Sequence, residues 1–159
     1  MQKTNIKRRR FMAVIATGFA TYVLPLQAMA AVFKDVFSKK WNKAAFEETS
    51  IVNAGKSLQV DHEVYSQDIE IIAPDKAENG AVVQVEITSN IANTESILIL
   101  VEKNPTALIA TFNFAQGALP VVITRIKMAE DSNIKVIVKA NNQYFSNSKK
   151  VIVLENGCG

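Results

Sequence analysis

From about Gln67 the apolar residues recur with a period of two, and they keep that period almost to the end of the chain. A chain patterned this way buries one face of each extended segment, which a helix could not do with the same residues. Segments near 68–73, 81–89, 96–102, 107–114, 119–128, 133–140 and 143–154 read as strands. Val83, Val85 and Ile87 alternate with Gln84, Glu86 and Thr88, as in a strand with one face buried. Ile97-Leu98-Ile99-Leu100-Val101 is apolar without interruption, which predicts a central strand covered on both sides. Turn residues fall between the runs. Asn79-Gly80 predicts a hairpin with positive φ, Asn104-Pro105 ends a strand, and Gly117 and Asn141-Asn142 mark two more turns. Seven short strands at this spacing predict an all-β, antiparallel sandwich of immunoglobulin type. The paired cysteines and core tryptophan of antibody domains are missing, so only the architecture is implied.

Ahead of the strands, residues 32–48 predict an amphipathic helix, with Phe33, Phe37, Trp41, Ala44 and Ala45 on one face. That face suits packing on the helix's own domain or on a partner subunit equally well. Residues 53–66 are polar, contain Gly55 and read as a connection.

The first thirty residues have a different grammar. Lys3, Lys7, Arg8, Arg9 and Arg10 precede an apolar run over 11–26, and Ala28-Met29-Ala30 offers small residues at a signal-peptidase spacing. This order predicts an export leader over 1–30, and its apolar run is short for a membrane span. Arg8 and Arg9, followed by Arg10 and Phe11, fit the twin-arginine pattern of an export route that carries folded proteins. The alternatives are an ordinary secretory leader or an uncleaved anchor. A periplasmic location is expected, with cleavage after Ala30 and no membrane segment in the mature chain.

Removing the leader reverses the charge. The whole chain carries 18 basic and 15 acidic residues, whereas residues 31–159 carry 13 against 15, a net of −2. The mature chain therefore lacks the cationic surface that nucleic acid or anionic lipid would require.

One cysteine remains, and its position is unusual. In an oxidising compartment cysteines normally pair to staple a fold, so an odd one suggests a reactive thiol or an intermolecular bond. Cys158 lies between Gly157 and Gly159, beyond the last predicted strand. Residues 155–159 are expected to form a mobile arm, since the glycines free the backbone. Four residues past Leu154 extend at most about 13–14 Å, enough to enter another protein's pocket. The thiol is not primed: the Glu155 carboxylate and the carboxylate of Gly159 both disfavour a thiolate, and no cation is near in sequence. An accessible thiol of ordinary or weakened acidity suits a carrier whose chemistry other proteins supply.

Several segments resemble the SoxY family, the cysteine-bearing half of the SoxYZ carrier of thiosulfate oxidation. They are Trp41-Asn42-Lys43-Ala44-Ala45-Phe46, Ile72-Ala73-Pro74, Ala77-Glu78-Asn79-Gly80-Ala81, Glu102-Lys103-Asn104-Pro105, Ala110-Thr111-Phe112-Asn113-Phe114, Thr124-Arg125-Ile126-Lys127 and Gly157-Cys158-Gly159. The resemblance implies an immunoglobulin-like fold and a heterodimer with a β-rich SoxZ-like subunit. It also implies covalent attachment of sulfur at Cys158, with no catalytic residues, metal or cofactor of the chain's own. Transient partners would be a c-type cytochrome, a thiol sulfohydrolase and a sulfur dehydrogenase. The family arm is Gly-Gly-Cys-Gly-Gly. Here Asn156 replaces the first glycine and the sequence stops at Gly159, so the attachment role is carried to Cys158 alone.

Other chemistry is sparse. His62 reads as a solvated loop residue, and a Cys158–His62 dyad has no motif behind it. One histidine and one cysteine cannot complete an ordinary zinc site. Asp61, Glu63, Asp68 and Glu70 read as a solvated face, and Asp75 and Glu78 as solubilising residues beside the Asn-Gly turn. The rival readings are a binding or assembly module whose cysteine forms an intermolecular disulfide, and a thiol enzyme.

The leader makes the first prediction. Replacing Arg8 and Arg9 together by lysine is expected to abolish export, and the exported wild-type protein is expected to begin at Ala31. Cell fractionation and N-terminal sequencing check both, and normal export of the double variant would exclude the twin-arginine route.

Overall fold

A computed structural model describes residues 42–155. Two short helices, α1 (Lys43–Glu47) and α2 (Ile51–Ser57), precede nine strands: β1 (Glu63–Tyr65), β2 (Ile69–Ile72), β3 (Lys76–Asn79), β4 (Val83–Ser89), β5 (Thr94–Val101), β6 (Leu108–Asn113), β7 (Val121–Ile126), β8 (Ser132–Ala140) and β9 (Gln143–Glu155). The larger sheet runs β1-β9-β8-β5-β6, with β3 also paired to β9; the smaller runs β2-β4-β7. The adjacent trio β5-β8-β9 facing the pair β4-β7 is the two-sheet arrangement of an immunoglobulin-like sandwich. The chain passes from the smaller sheet to the larger between β2 and β3.

Alternation becomes a core in the expected way. Val83, Val85 and Ile87 of β4 meet Ile97, Ile99 and Val101 of β5 and Ile134, Val136 and Val138 of β8 between the sheets. The uninterrupted run of β5 is buried on both faces, as its composition predicts. Its second set, Leu98 and Leu100, points out of the sandwich and is covered by the helices, in a cluster with Ala45, Ala54, Leu108 and Ile137. The domain thus has three layers: helices, larger sheet, smaller sheet.

The seven expected strands are present, and the structure corrects their surroundings in four places. The helix expected over 32–48 appears, among the described residues, only as α1, and Trp41 with the aromatic positions before it lies outside them. Asn42 caps it, its Oδ1 accepting from the Ala45 amide at 3.3 Å, and Glu48 ends it in an extended conformation. Ala45 and the half-buried Phe46 pack on the chain's own sheet. The stretch read as a connection holds α2 instead. Ser50 caps α2 through the Asn53 amide, and Ile51, Ala54 and Leu58 form the inward stripe. Gly55 and the short polar residues hide that stripe in the sequence.

The sheet is also not wholly antiparallel. The short strands β1 and β3 have no counterpart among the expected seven, and each runs parallel to β9, at its start and its end respectively. This bears on Asn79-Gly80, which is not a hairpin: it carries the chain from the larger sheet to the smaller, and neither residue has positive φ. Asn79 instead uses its side chain, Oδ1 accepting from the Ala81 amide at 2.7 Å. The real hairpin turn is Asn141-Asn142, with φ of 50° and 61°, joining β8 to β9. Gly117, with φ of 81°, also turns as expected.

Glu63 proves less solvated than its sequence context suggests, because it is half-buried and paired with Lys135. Asp75 pairs with Lys149 at 3.2 Å.

Asn104 ties two loops at one end of the sandwich. Its buried side chain donates to the Lys127 carbonyl at 2.7 Å and accepts from the Ala129 amide at 2.8 Å. Asn104→Ala would leave both backbone groups without that partner, and is expected to destabilise the fold by about 2–4 kcal/mol. The exposed Asn90, changed likewise, is expected to shift stability by less than about 0.5 kcal/mol. Denaturant titration of the two variants checks the contrast.

Candidate functional site

Every site residue singled out in the sequence lies outside the described residues: Cys158, Asn156, Gly157 and Gly159 of the arm, Arg8, Arg9 and Phe11 of the export motif, and Ala28 and Ala30 of the cleavage site. The described chain nevertheless ends at Glu155, one residue before the arm, so the geometry of the arm's root is on view.

Strand β9 runs past its neighbour. Its last pair with β8 is Val151 with Ser132, which leaves residues 152–155 without a β8 ladder. On the other side β3 takes them, in the register Lys76 with Ile152, Ala77 with Val153 and Asn79 with Glu155. The Ile152 amide donates to the Asp75 carbonyl at 3.0 Å, and the Gly80 amide donates to the Glu155 carbonyl at 2.9 Å. On the vacated β8 side, the Asp131 carboxylate accepts from the Val153 amide at 2.6 Å, replacing the strand that has ended. The Gly80 carbonyl in turn accepts from the Met128 amide at 2.7 Å. The chain is therefore held on both sides almost to its last described residue. Val151 and Val153 face the core, while Leu154 is 62% exposed on the opposite side of the strand.

Residues distant in sequence meet here. The segments at 72–74, 77–81, 102–105 and 124–127 all border this end of the sandwich, joined by the Gly80–Glu155, Gly80–Met128 and Asn104–Lys127 bonds. Asn104 and Asp131 are not marked as site residues by the sequence. An Asn before a proline at a strand end is a recognisable capping signal; nothing local distinguishes Asp131 from any loop aspartate.

The chemistry offered at the root is positional. No group of three or more His, Cys, Asp or Glu side chains suited to a metal occurs among the described residues. His62 is exposed beside a cleft of about 330 Å³ that also includes Lys56, Asp61 and Lys135. It immediately precedes Glu63, whose partner in β9 is Tyr144. Eleven residues of strand separate Tyr144 from Glu155, about 35 Å. Cys158 is three residues beyond Glu155 and reaches at most about 10–11 Å from it. A dyad of Cys158 with His62 of the same chain is therefore out of reach.

The family model described as "Sulfur oxidation protein SoxY" matches residues 55–158. Among solved structures, the sulfur carrier protein SoxY from Chlorobium limicola f thiosulfatophilum is 28% identical, with a TM-score of 0.57 over 64% of this chain and 94% of that one. A superoxide reductase (neelaredoxin) from Ignicoccus hospitalis is 18% identical with a TM-score of 0.46, over 55% of this chain and 80% of that one, a likeness too slight to bear on function. No curated protein sequence matches the chain.

Asp131 and the arm can be separated experimentally. Asp131→Ala removes the acceptor for the Val153 amide and is expected to raise hydrogen exchange at that amide at least about tenfold. Deleting residues 156–159 is expected to leave exchange at Val153 and global stability unchanged, within about 0.5 kcal/mol. Site-resolved exchange by NMR checks both.

Proposed function

The chain belongs to the SoxY family, and from that premise we propose that it is a periplasmic carrier that holds sulfur intermediates covalently on Cys158 while separate enzymes transform them. A SoxY protein is a sulfur carrier of sulfur oxidation, so the added content is the residue, the compartment and the division of labour. The observation that carries the assignment of the residue is the extent of the family match, which runs to residue 158 and takes in Cys158. The anchored end of β9 supports it from the other side: a rigid strand presents the last four residues at a fixed point on the rim.

The carried reactions balance without a catalytic group on the chain. Oxidative coupling joins the Cys158 sulfur to the outer sulfur of thiosulfate. It releases the thiol proton and two electrons, which a c-type cytochrome accepts. The product is a cysteine S-thiosulfonate. Hydrolysis by a thiol sulfohydrolase then adds water across the bond between the sulfane sulfur and the sulfonate. Sulfate and protons leave, and a persulfide stays on Cys158 for a sulfur dehydrogenase. Each step needs an acceptor, a metal or a base from a partner, and the chain contributes a fixed, accessible sulfur. Glu155 next to the arm works against spontaneous loading, since it disfavours the thiolate and repels the thiosulfate dianion. A SoxZ-like subunit completes the carrier, and residues 1–30 direct its export.

Thiosulfate alone is expected to leave the intact mass of the processed protein unchanged. Thiosulfate with the oxidising cytochrome partner is expected to add one S-thiosulfonate per chain, and none to Cys158→Ala. The variant should melt with the wild type, because the residue lies beyond the last strand. An adduct formed without any partner would overturn the passive-carrier mechanism.

A further inference from the structure

The tripeptide Glu-Asn-Gly occurs twice in the chain, as Glu78-Asn79-Gly80 and as Glu155-Asn156-Gly157. An asparagine followed by glycine is chemically labile. The glycine nitrogen can attack the asparagine Cγ, expelling ammonia and closing a cyclic imide. Water then reopens the ring at either carbonyl, leaving aspartate or isoaspartate. Glycine permits this because no side chain obstructs the attacking nitrogen or restricts the φ and ψ that closure needs. The two identical tripeptides share the same local chemistry, so a difference between them comes from the fold.

The structure holds the first copy shut. The Gly80 amide, which would have to attack, donates instead to the Glu155 carbonyl at 2.9 Å. The Gly80 carbonyl accepts from the Met128 amide at 2.7 Å, so the residue is fixed on both sides. Gly80 is also buried, which shields its amide proton from hydroxide. Asn79 lies in β3, in register with Glu155, and its Oδ1 accepts from the Ala81 amide at 2.7 Å. Ring closure at Asn79 therefore requires the end of β3 to part from β9, at the cost of these bonds.

The second copy begins where that restraint stops. Glu155, whose carbonyl holds Gly80, is the last described residue, and Asn156 follows it directly. Asn156 and Gly157 themselves lie outside the described residues. We propose that Asn156 is a site of spontaneous covalent modification, cyclising with Gly157 and ageing into aspartate or isoaspartate, while the fold protects Asn79. An arm with the free backbone that its glycines predict lets Gly157 turn toward the Asn156 side chain. Either product sets a new carboxylate two residues before Cys158, beside those of Glu155 and Gly159, and isoaspartate also lengthens the main chain by one carbon. The added negative charge further disfavours the thiolate. The consequence for sulfur loading rests on the carrier reading above: an aged arm loads more slowly than a fresh one.

The test incubates the processed chain without any sulfur compound, at mildly alkaline pH, and follows both asparagines by peptide mapping with mass spectrometry. Native wild type is expected to convert Asn156 at least about tenfold faster than Asn79. In guanidinium chloride, where the Gly80–Glu155 bond is lost, the two are expected to convert at similar rates. Comparable rates in the native protein, or an Asn79 that stays inert in denaturant, would overturn the assignment. Asn156→Gly is expected to remain unmodified at position 156 on storage, and its Cys158 to alkylate like that of fresh wild type. Asn156→Asp is expected to alkylate more slowly with a neutral reagent at the same pH, and an equal rate would overturn the link between ageing and the thiol. None of these readouts uses thiosulfate or a partner, so intact mass after loading tests the role of Cys158 separately.

Discussion

Strand β9 is thirteen residues long, and the rest of the domain is organised along it. Its start pairs with β1, its centre with β8 and its end with β3. The pairs with β1 and β3 join residues more than seventy positions apart, so they close large loops whose entropy the sandwich core must offset. The parallel pair of β3 with β9 matters most for function. Without it, residues 152–155 would lack a ladder on either side, and the arm would in effect begin at Val151. With it, and with Asp131 closing the other side, the strand stays ordered to Glu155, and the reach of Cys158 is measured from a fixed point.

That constraint explains what the amino-acid pattern disclosed and what it concealed. Strands β4, β5 and β8 were legible because their burial comes from period and composition alone: Val83, Val85 and Ile87 alternate, and 97–101 is apolar throughout. Asn141-Asn142 was legible because few residues tolerate left-handed φ at two successive positions. β1 and β3 were not, since a strand of three or four residues has no period of its own and exists only where β9 offers it an edge. Asn79-Gly80 misled for the same reason. Its side chains favour turns, but whether the chain turns back on itself or crosses to another sheet is decided by long-range pairing. α2 was concealed by Gly55, which lowers helix propensity, and by the short polar residues around it. In the candidate site, Cys158 stands out in the sequence by its isolation and its glycines and lies outside the described residues, whereas Asn104 and Asp131 acquire roles only through backbone groups brought to them by the fold.

The division between carrier and enzyme has a physical basis in this arrangement. A catalyst holds its reacting groups within hydrogen-bond reach of one another, at fixed angles. Here the chain's one histidine lies about 35 Å of strand from the arm root, and an arm of three residues to the thiol spans less than a third of that. Pre-organisation is instead invested in the platform. If sulfur is carried on Cys158, as proposed above, its attachment three residues beyond Glu155 would confine it to a small volume at the rim and raise its effective concentration at any active site whose mouth meets that rim.

A short tether also moves specificity onto the surface around it. An arm of dozens of residues could find a distant pocket without the carrier body touching the enzyme, whereas one reaching about 10–11 Å obliges the two bodies to come into contact. On the carrier reading proposed above, successive enzymes would meet the same rim, where the connections at 79–82, 102–105 and 127–131 border the end of β9. The ties among those connections, Asn104 to Lys127 and Ala129 and Gly80 to Met128 and Glu155, keep that shared surface in one shape for each of them.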